Sequence, residues 1–347
     1  MARTWAMPSF SSGTRVAIDI GTSLTRIALE DKGIVLREPT CVGNNMRTGQ
    51  ALFLGEEAKN IFGKAPEFIK VIKPFENSII SDFDASVSLI HAFLRKAVFP
   101  YSHASFIRKG LMAYAPVPTS STEVEQKALQ EALIKAGFHK AHLVDRPVVT
   151  ALGAGCDVFT SKPVFVVDIG AGSVELAIII MGGIVHSRVL KIGGDHMDKL
   201  IYNYLHLKYG LIIGELTAEN LKNELYTLDD KKLTKTIRGK SLENGLPKSV
   251  RVTSADIREA LSVPLNRIID GMKELIETSP PEIIDGLIRS GAVLTGGLAQ
   301  VPGIDQHIMK EVKIPVEIAH EPADATVRGI FSLFEDEERL KRVVISV

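Results

Sequence analysis

Cysteine, tryptophan and net charge are all scarce in this sequence. The two cysteines, Cys41 and Cys156, show no metal-binding or redox spacing, and a reducing compartment is the simplest expectation. Lys+Arg and Asp+Glu number 41 each, so the formal net charge is +0. That balance argues against a general nucleic-acid binder, and no nucleic-acid partner is expected. Long apolar runs are missing too, since none reaches the roughly 18 residues of a membrane span. The opening "MARTWAMPSFSSGT" lacks the apolar stretch of a signal peptide. Residues 1–13 read as a flexible tail, or as a weak anchor in a membrane surface through Trp5 and Phe10 beside Arg3.

What is present suits a soluble protein of about two domains, with 347 residues of which 45% are hydrophobic. Strand patterns at Arg15–Ile20, Leu24–Glu30 and Gly33–Arg37 are closely spaced and predict a meander. The second half opens in the same way, with strands at Val164–Asp168, Val174–Met181 and Ile184–Ile192. Aligning Asp19 with Asp168 sets "VAIDIGTSLTRIAL" against "FVVDIGAGSVELAII", with one residue inserted in the second turn. Two strand–Asp–Gly-turn–strand units half a chain apart point to duplicated domains. Between them, Thr122–Ala136 reads as a helix with Val124, Leu129, Leu133 and Ile134 on its apolar face. Later helices are expected over Asp195–Tyr209, over Thr217–Tyr226 with Thr217 as its cap, and over Ser254–Thr278 with an interruption at Pro264.

The two Gly turns carry the chemistry. Glycines let backbone N–H groups approach phosphate oxygens, and the hydroxyls of Thr22, Ser23 and Ser173 add donors. Asp19 and Asp168, at strand ends aimed at one point, are tolerable beside a triphosphate only with a cation between them, and Mg²⁺ held through water is expected there. A lone turn of this kind is more simply a hairpin with a capping Asp; two copies favour the phosphate reading. Glu219 and Lys222, three apart on a helix, could bracket a ribose and an adenine edge, or form a surface ion pair. "LTGGLA", Leu294–Ala299, ends a strand in two glycines that would let an adenine ring near the backbone, or is a plain turn.

The ordered set DIGTSLT, DIGAGSVE, IGGD, AENLK and LTGG resembles the actin-like ATPases. The stretches "GEEAKNIFGKAPEFIKVIKPFENSIISDFDAS", "LVDRPVVTALGAG" and "TSPPEIIDGLIRSGAVLTGG" are similar to the MreB/Mbl family of bacterial actin homologues in particular. The resemblance implies an α/β, actin-like (ribonuclease H-like) fold, with two duplicated domains around a nucleotide cleft and a small extra subdomain on each. The first domain would comprise 14–150 plus 326–347 with a lobe at about 43–73, and the second 151–325 with a lobe at about 196–253. It implies ATP or ADP bound with Mg²⁺, and self-assembly into filaments at the inner face of the cytoplasmic membrane in support of cell shape. Partners implied are further copies of the chain, the membrane surface, paralogues and membrane elongation-complex proteins. Carried over by position, Gly21, Thr22, Ser23 and Leu24 match the first phosphate loop, and Gly170, Ala171, Gly172 and Ser173 the second. Glu219, Asn220, Leu221 and Lys222 match the ribose–adenine helix, and Gly296, Gly297, Leu298 and Ala299 the adenine loop. Asp19, Asp168 and Ser173 would be the catalytic groups, and Asp19 and Asp168 would face the metal.

The chain departs from the family at Arg146, where a glutamate that positions the attacking water is usual. Arginine cannot accept a proton, and slow hydrolysis is expected. If strand alternation continued through Asp145, the two side chains would point to opposite faces, and Arg146 would reach either the γ-phosphate or solvent. Ser173 stands for a usual threonine, and Ala171 and Leu298 for usual glycines. Phe99 and Phe106, beside Arg108 and Lys109, suit an anionic bilayer or pack beneath the next strand. A non-hydrolysing scaffold or regulator of an intact paralogue is the alternative function. A sugar kinase is the enzyme alternative, disfavoured because the second half offers no carboxylate base for a sugar pocket.

Overall fold

The computed structural model describes residues 13–101 and 110–345. Trp5, Phe10 and Phe106, singled out as membrane contacts, lie outside the described residues.

Two sheets organise the chain. One has the strand order Val344–Ile345, Lys140–Asp145, Leu111–Val117, Thr14–Ile20, Leu24–Leu29, Gly33–Pro39. The other runs Gly183–Leu190, Val174–Ile180, Val164–Ile169, Ala292–Thr295, Val316–Ile318. Each contains a three-stranded antiparallel meander extended from its first strand by two strands in parallel, and the first sheet adds Val344–Ile345 as an antiparallel edge. The register repeats as well, and with equal spacing, so the residue expected to be inserted in the second turn is not there. Asp19 faces Arg26 and Asp168 faces Glu175, each one residue before its strand ends. The central strands are almost continuously apolar, and Val16, Ala17, Ile18, Val166 and Val167 are buried. That is the pattern of strands covered on both faces.

A helix pair fills the space between the sheets. Arg146–Gly153 and Ala325–Ser332 lie in one apolar cluster with Ala17 and Tyr114 of the first sheet and Val166, Ala177 and Ile179 of the second. Their backbones touch. A Cβ added to Gly153 would lie 1.7 Å from the Ala325 carbonyl oxygen, and one added to Gly329 1.7 Å from that of Val149. The Thr150 and Thr326 hydroxyls share a hydrogen bond of 2.8 Å across the same contact. Two small sheets flank the assembly, one of Val42–Asn45, Ala51–Leu54 and Ile69–Ile72, the other of Leu211–Ile212, Thr234–Ser241 and Pro247–Thr253.

Several local expectations change. The helix at Glu123–Lys135 buries Leu129, Ala132 and Leu133, and leaves Val124 and Ile134 exposed. Positions 129, 132 and 133 share a helical face; 124 and 134 fall a hundred degrees or more off it. Pro264 sits inside a continuous helix, Ser254–Glu277. Its lost hydrogen bond, about 3 kcal/mol in an isolated helix, is offset by burying Ile257, Leu261, Leu265, Ile268 and Met272 on one side. The Glu215–Leu225 helix starts two residues before Thr217, with Gly214 as its cap. Strand alternation does not extend through Arg146, because the Lys140–Asp145 strand ends at Asp145 and Arg146 opens the next helix ahead of Pro147.

The helix contact generates a test. Gly329→Ala has no space for its methyl and should lower the unfolding free energy by about 3 kcal/mol or more. Chemical denaturation checks this, and an unchanged midpoint would contradict the contact.

Candidate functional site

The two meander turns have one geometry. Gly21 N–H donates to the Leu24 carbonyl at 3.1 Å, and Gly170 N–H to the Ser173 carbonyl at 3.0 Å. A Cβ on Gly21 would lie 2.9 Å from Leu24 O, and one on Gly170 3.1 Å from Ser173 O, so both turns are too tight for a side chain there. The turns meet tip to tip: a Cβ on Gly172 would lie 2.3 Å from Thr22 Oγ1. The Thr22 hydroxyl accepts from Ser78 N–H at 3.2 Å. Asn77 and Ser78, with φ of 51° and 63°, form the tip of a hairpin laid over this seam. The second turn is braced from behind by the Gly194–Tyr209 helix, whose Gly194 and Asp195 N–H groups donate to Gly170 and Ala171 carbonyls at 3.1 and 2.9 Å.

A cleft of about 500 Å³ opens above the seam, of the size usual for a small-molecule site. Thr22, Ser23 and Gly172 line it, with Lys59 and Lys73 on one wall and Asp195 and Glu219 on the other. Two ion pairs cross it, Lys59–Glu219 at 3.1 Å and Lys73–Asp195 at 2.7 Å. Glu219 and Lys222 therefore do not act as a pair. Lys222 is buried, donates to the Gly194 carbonyl at 2.9 Å and pairs with Asp198 at 2.8 Å. Burial raises Asp198 to about 6 against the pull of Lys222. Gly296, with φ of 84°, sits against the second strand; a Cβ there would lie 2.4 Å from Ile169 O and 2.7 Å from Asp168 Oδ1. Gly297–Gln300 is a short 3-10 turn in which Leu298 and Ala299 are buried. Gly296–Ala299, Asp19, Arg146 and Asp168 are not among the residues lining the cleft.

Below the seam lies a buried charged cluster. Arg146, 6% exposed, donates from Nη1 to Asp19 Oδ1 at 3.0 Å, and Asp19 is 4% exposed. Arg26 Nη1 lies 3.8 Å from the other Asp19 oxygen, and its Nε donates to Asp324 at 2.6 Å. Asp168 Oδ1 accepts from the Thr295 hydroxyl at 3.2 Å. Glu175 Oε1 accepts from Thr119 N–H at 2.7 Å. Burial works against the charge of Arg146, but Asp19, Asp168 and Glu175 more than offset it, and its pKa is raised. Burial pushes Asp168 up despite Arg146. Burial likewise pushes Glu175 up to about 7, against the Thr119 N–H and Arg146. Arg146 Nε and Nη2 and Glu175 Oε2 are buried with no hydrogen-bond partner among the described residues.

The Mg²⁺ expected at Asp19 and Asp168 does not fit these residues as they stand. A guanidinium already occupies an Asp19 oxygen, and a divalent cation there would have to share that oxygen with a fixed positive charge. Glu175, Lys59, Lys73 and Asp195 went unnoticed in the sequence. Glu175 carried one signal, as a carboxylate inside the apolar run "VELAIII".

Duplicated meander sheets joined by a helix pair, with facing Gly turns at the seam, define the actin-like fold. The chain belongs to the MreB/Mbl protein family, whose model matches residues 13–342. It is 35% identical over 337 residues to the cell shape-determining protein Mbl of Bacillus subtilis, covering 95% of this chain and 98% of that protein. It is 35% identical over 321 residues to the cell shape-determining protein MreB of Escherichia coli, covering 90% and 91%. The crystal structure of MreB 5 of Spiroplasma citri bound to AMPPNP superposes with a TM-score of 0.89 at 27% identity, covering 95% of this chain and 98% of that one.

Glu175 sets a pH dependence. Its proton stays on up to about 7 in the fold, against an ordinary 4.5. The folded state thus binds more protons in that window, and stability falls as pH rises. The contribution is intact below about pH 4.5 and lost on passing about pH 7, a change on the order of 3 kcal/mol. Glu175→Gln cannot ionise, so denaturant titrations should favour the variant increasingly between about pH 5 and about pH 8. A difference independent of pH would contradict the shift.

Proposed function

We propose that this chain binds ATP or ADP in the cleft above the two turns, with the phosphates against Thr22, Ser23, Leu24 and Ala171–Ser173. The observation that carries this reading is the pair of matching Gly turns meeting tip to tip, with the Cβ of a substituted Gly172 falling 2.3 Å from Thr22 Oγ1. Free backbone N–H groups on both sides of one seam suit an anion with several oxygens. The related S. citri protein was crystallised with AMPPNP, which supports the same ligand here. Nucleotide entry would part Lys59 from Glu219 and free that carboxylate for a ribose, while Asn220 and Leu221 hold the helix. The adenine would lie beside Gly296, Gly297, Leu298 and Ala299.

The domains proposed from the sequence, 14–150 plus 326–347 and 151–325, would hinge about the Gly153–Gly329 contact. Copies of the chain assemble into filaments in this reading, on the cytoplasmic face of the membrane, and support cell shape together with paralogues and membrane elongation proteins. No helix among the described residues is long and apolar enough to cross a membrane. Attachment would be peripheral, through Trp5, Phe10, Phe106 and Phe99, the last of which is 77% exposed.

Turnover is slow in this proposal. Arg146 stands where the family's water-positioning carboxylate is usual, it cannot take a proton, and it is bonded to Asp19. The same feature favours the second reading, a non-hydrolysing scaffold or regulator of an intact paralogue. Phosphate release by the purified chain should lie well below that of E. coli MreB. Arg146→Glu, checked for folding by circular dichroism, should raise it by about a hundredfold. A natural chain as fast as MreB, with no gain in the variant, would refute the assignment. Sedimentation separates the two functions, since a filament former should pellet with AMPPNP and with anionic liposomes. Phe99→Ser should weaken only the liposome pellet. A chain soluble under every nucleotide condition would leave the scaffold reading.

A further inference from the structure

We propose that the Arg146 guanidinium is a built-in cation of the nucleotide site, standing in for a divalent metal, so that the cleft takes metal-free nucleoside di- and triphosphates. The inference rests on the nucleotide reading above and names the form of the ligand.

Three observations carry it. First, the position is fixed by the backbone. The strand Lys140–Asp145 delivers Arg146 to the first turn of the helix that separates the two sheets. That helix is locked at Gly153 against Ala325 and Gly329. The guanidinium therefore sits against Asp19 rather than in solvent, and Arg146 is 6% exposed. Second, it already takes what a metal would need. Nη1 is 3.0 Å from Asp19 Oδ1, one of the two carboxylates at which the metal was expected. A divalent cation held through water by Asp19 and Asp168 would have to enter beside a fixed positive charge and compete for an oxygen that is already bonded. Third, its hydrogen bonding is incomplete. Nε and Nη2 are buried and without a partner among the described residues. Arginine carries five N–H donors in a rigid fork that matches the oxygens of a phosphate, and leaving them unmade indoors is costly. Arg146 does not line the cleft itself, so a phosphoryl group would complete the set by reaching through the seam into the buried cluster.

The charge is permanent, because guanidinium keeps its proton throughout the physiological range. A site in which one wall supplies the cation should not depend on the metal concentration around it.

Isothermal titration of the full chain with AMPPNP, in excess Mg²⁺ and again in excess EDTA, reads the proposal directly. The expected Kd differs by less than about threefold between the two conditions. Arg146→Gln removes the charge and should bind at least about tenfold more weakly in EDTA than in Mg²⁺, whereas Arg146→Lys should keep the metal-independence. A natural chain whose Kd rises about tenfold or more in EDTA overturns the inference and leaves the nucleotide reading standing. Absence of binding in both conditions overturns both. Should the variants not fold, Mn²⁺ electron paramagnetic resonance on the natural chain decides. With AMPPNP bound, the Mn²⁺ affinity should match that of the nucleotide alone, and tighter, protein-dependent Mn²⁺ binding overturns the proposal.

Discussion

A guanidinium 3.0 Å from a carboxylate, buried where two repeats of one motif meet, is the contact on which the rest of the site depends. Asp19 is the penultimate residue of a strand of the first sheet and Asp168 that of its counterpart in the second. Brought together by the fold, two such groups repel each other unless a cation is present. Here the cation comes from the polypeptide. Losing either partner of a buried pair commonly costs about 3–5 kcal/mol, because the remaining charge is left uncompensated. Both partners lie in the first half of the chain, so the pair fixes the charge at the seam from one side. In the function proposed above Arg146 also takes the place of the family's hydrolytic carboxylate, so one substitution would alter charge, proton transfer and metal demand together.

Around that contact the glycines do two different jobs. At Gly21 and Gly170 the turn itself leaves no room for a Cβ, and at Gly172 the opposing turn does. These positions bring bare backbone to the seam. Gly153 and Gly329 instead let two helices touch between the sheets. Packing there couples any movement of one sheet to the other. The cross-cleft pairs Lys59–Glu219 and Lys73–Asp195 are partly exposed, and each is worth little alone. They close the cleft in a way that a polyanion can reopen by competing for the lysines.

Much of this was legible in the sequence. Alternation and Gly punctuation gave the meanders, and aligning Asp19 with Asp168 gave the duplication, because a buried strand and a tight turn leave a strong local signature. The two Gly turns were also readable, because the second copy outweighs the plain-hairpin reading that one turn alone would favour. What escaped depended on tertiary contact. Thr217 looks like a cap, but the helix gains a turn from Gly214 onward, and nothing local separates the two starts. Pro264 looks like a break, and only the buried side of the long helix overrides it. Glu219 and Lys222 share a helix and a plausible spacing, yet Lys222 turns inward to Asp198 while Glu219 reaches across the cleft. Glu175 reads as an ordinary polar residue in a strand until its register opposite Asp168 is known.

The direction of Arg146 was the point that sequence alone left open. Alternation offered phosphate or solvent, whereas the change from strand to helix at Asp145 turns it toward Asp19. A crystal structure of the chain grown with ADP and excess Mg²⁺, at a resolution that distinguishes a hydrated cation from water, tests this most directly. The account predicts Arg146 Nη1 still hydrogen-bonded to Asp19 Oδ1, with no cation between Asp19 and Asp168. A water-ringed ion between those two carboxylates, with Arg146 displaced from Asp19, would contradict it.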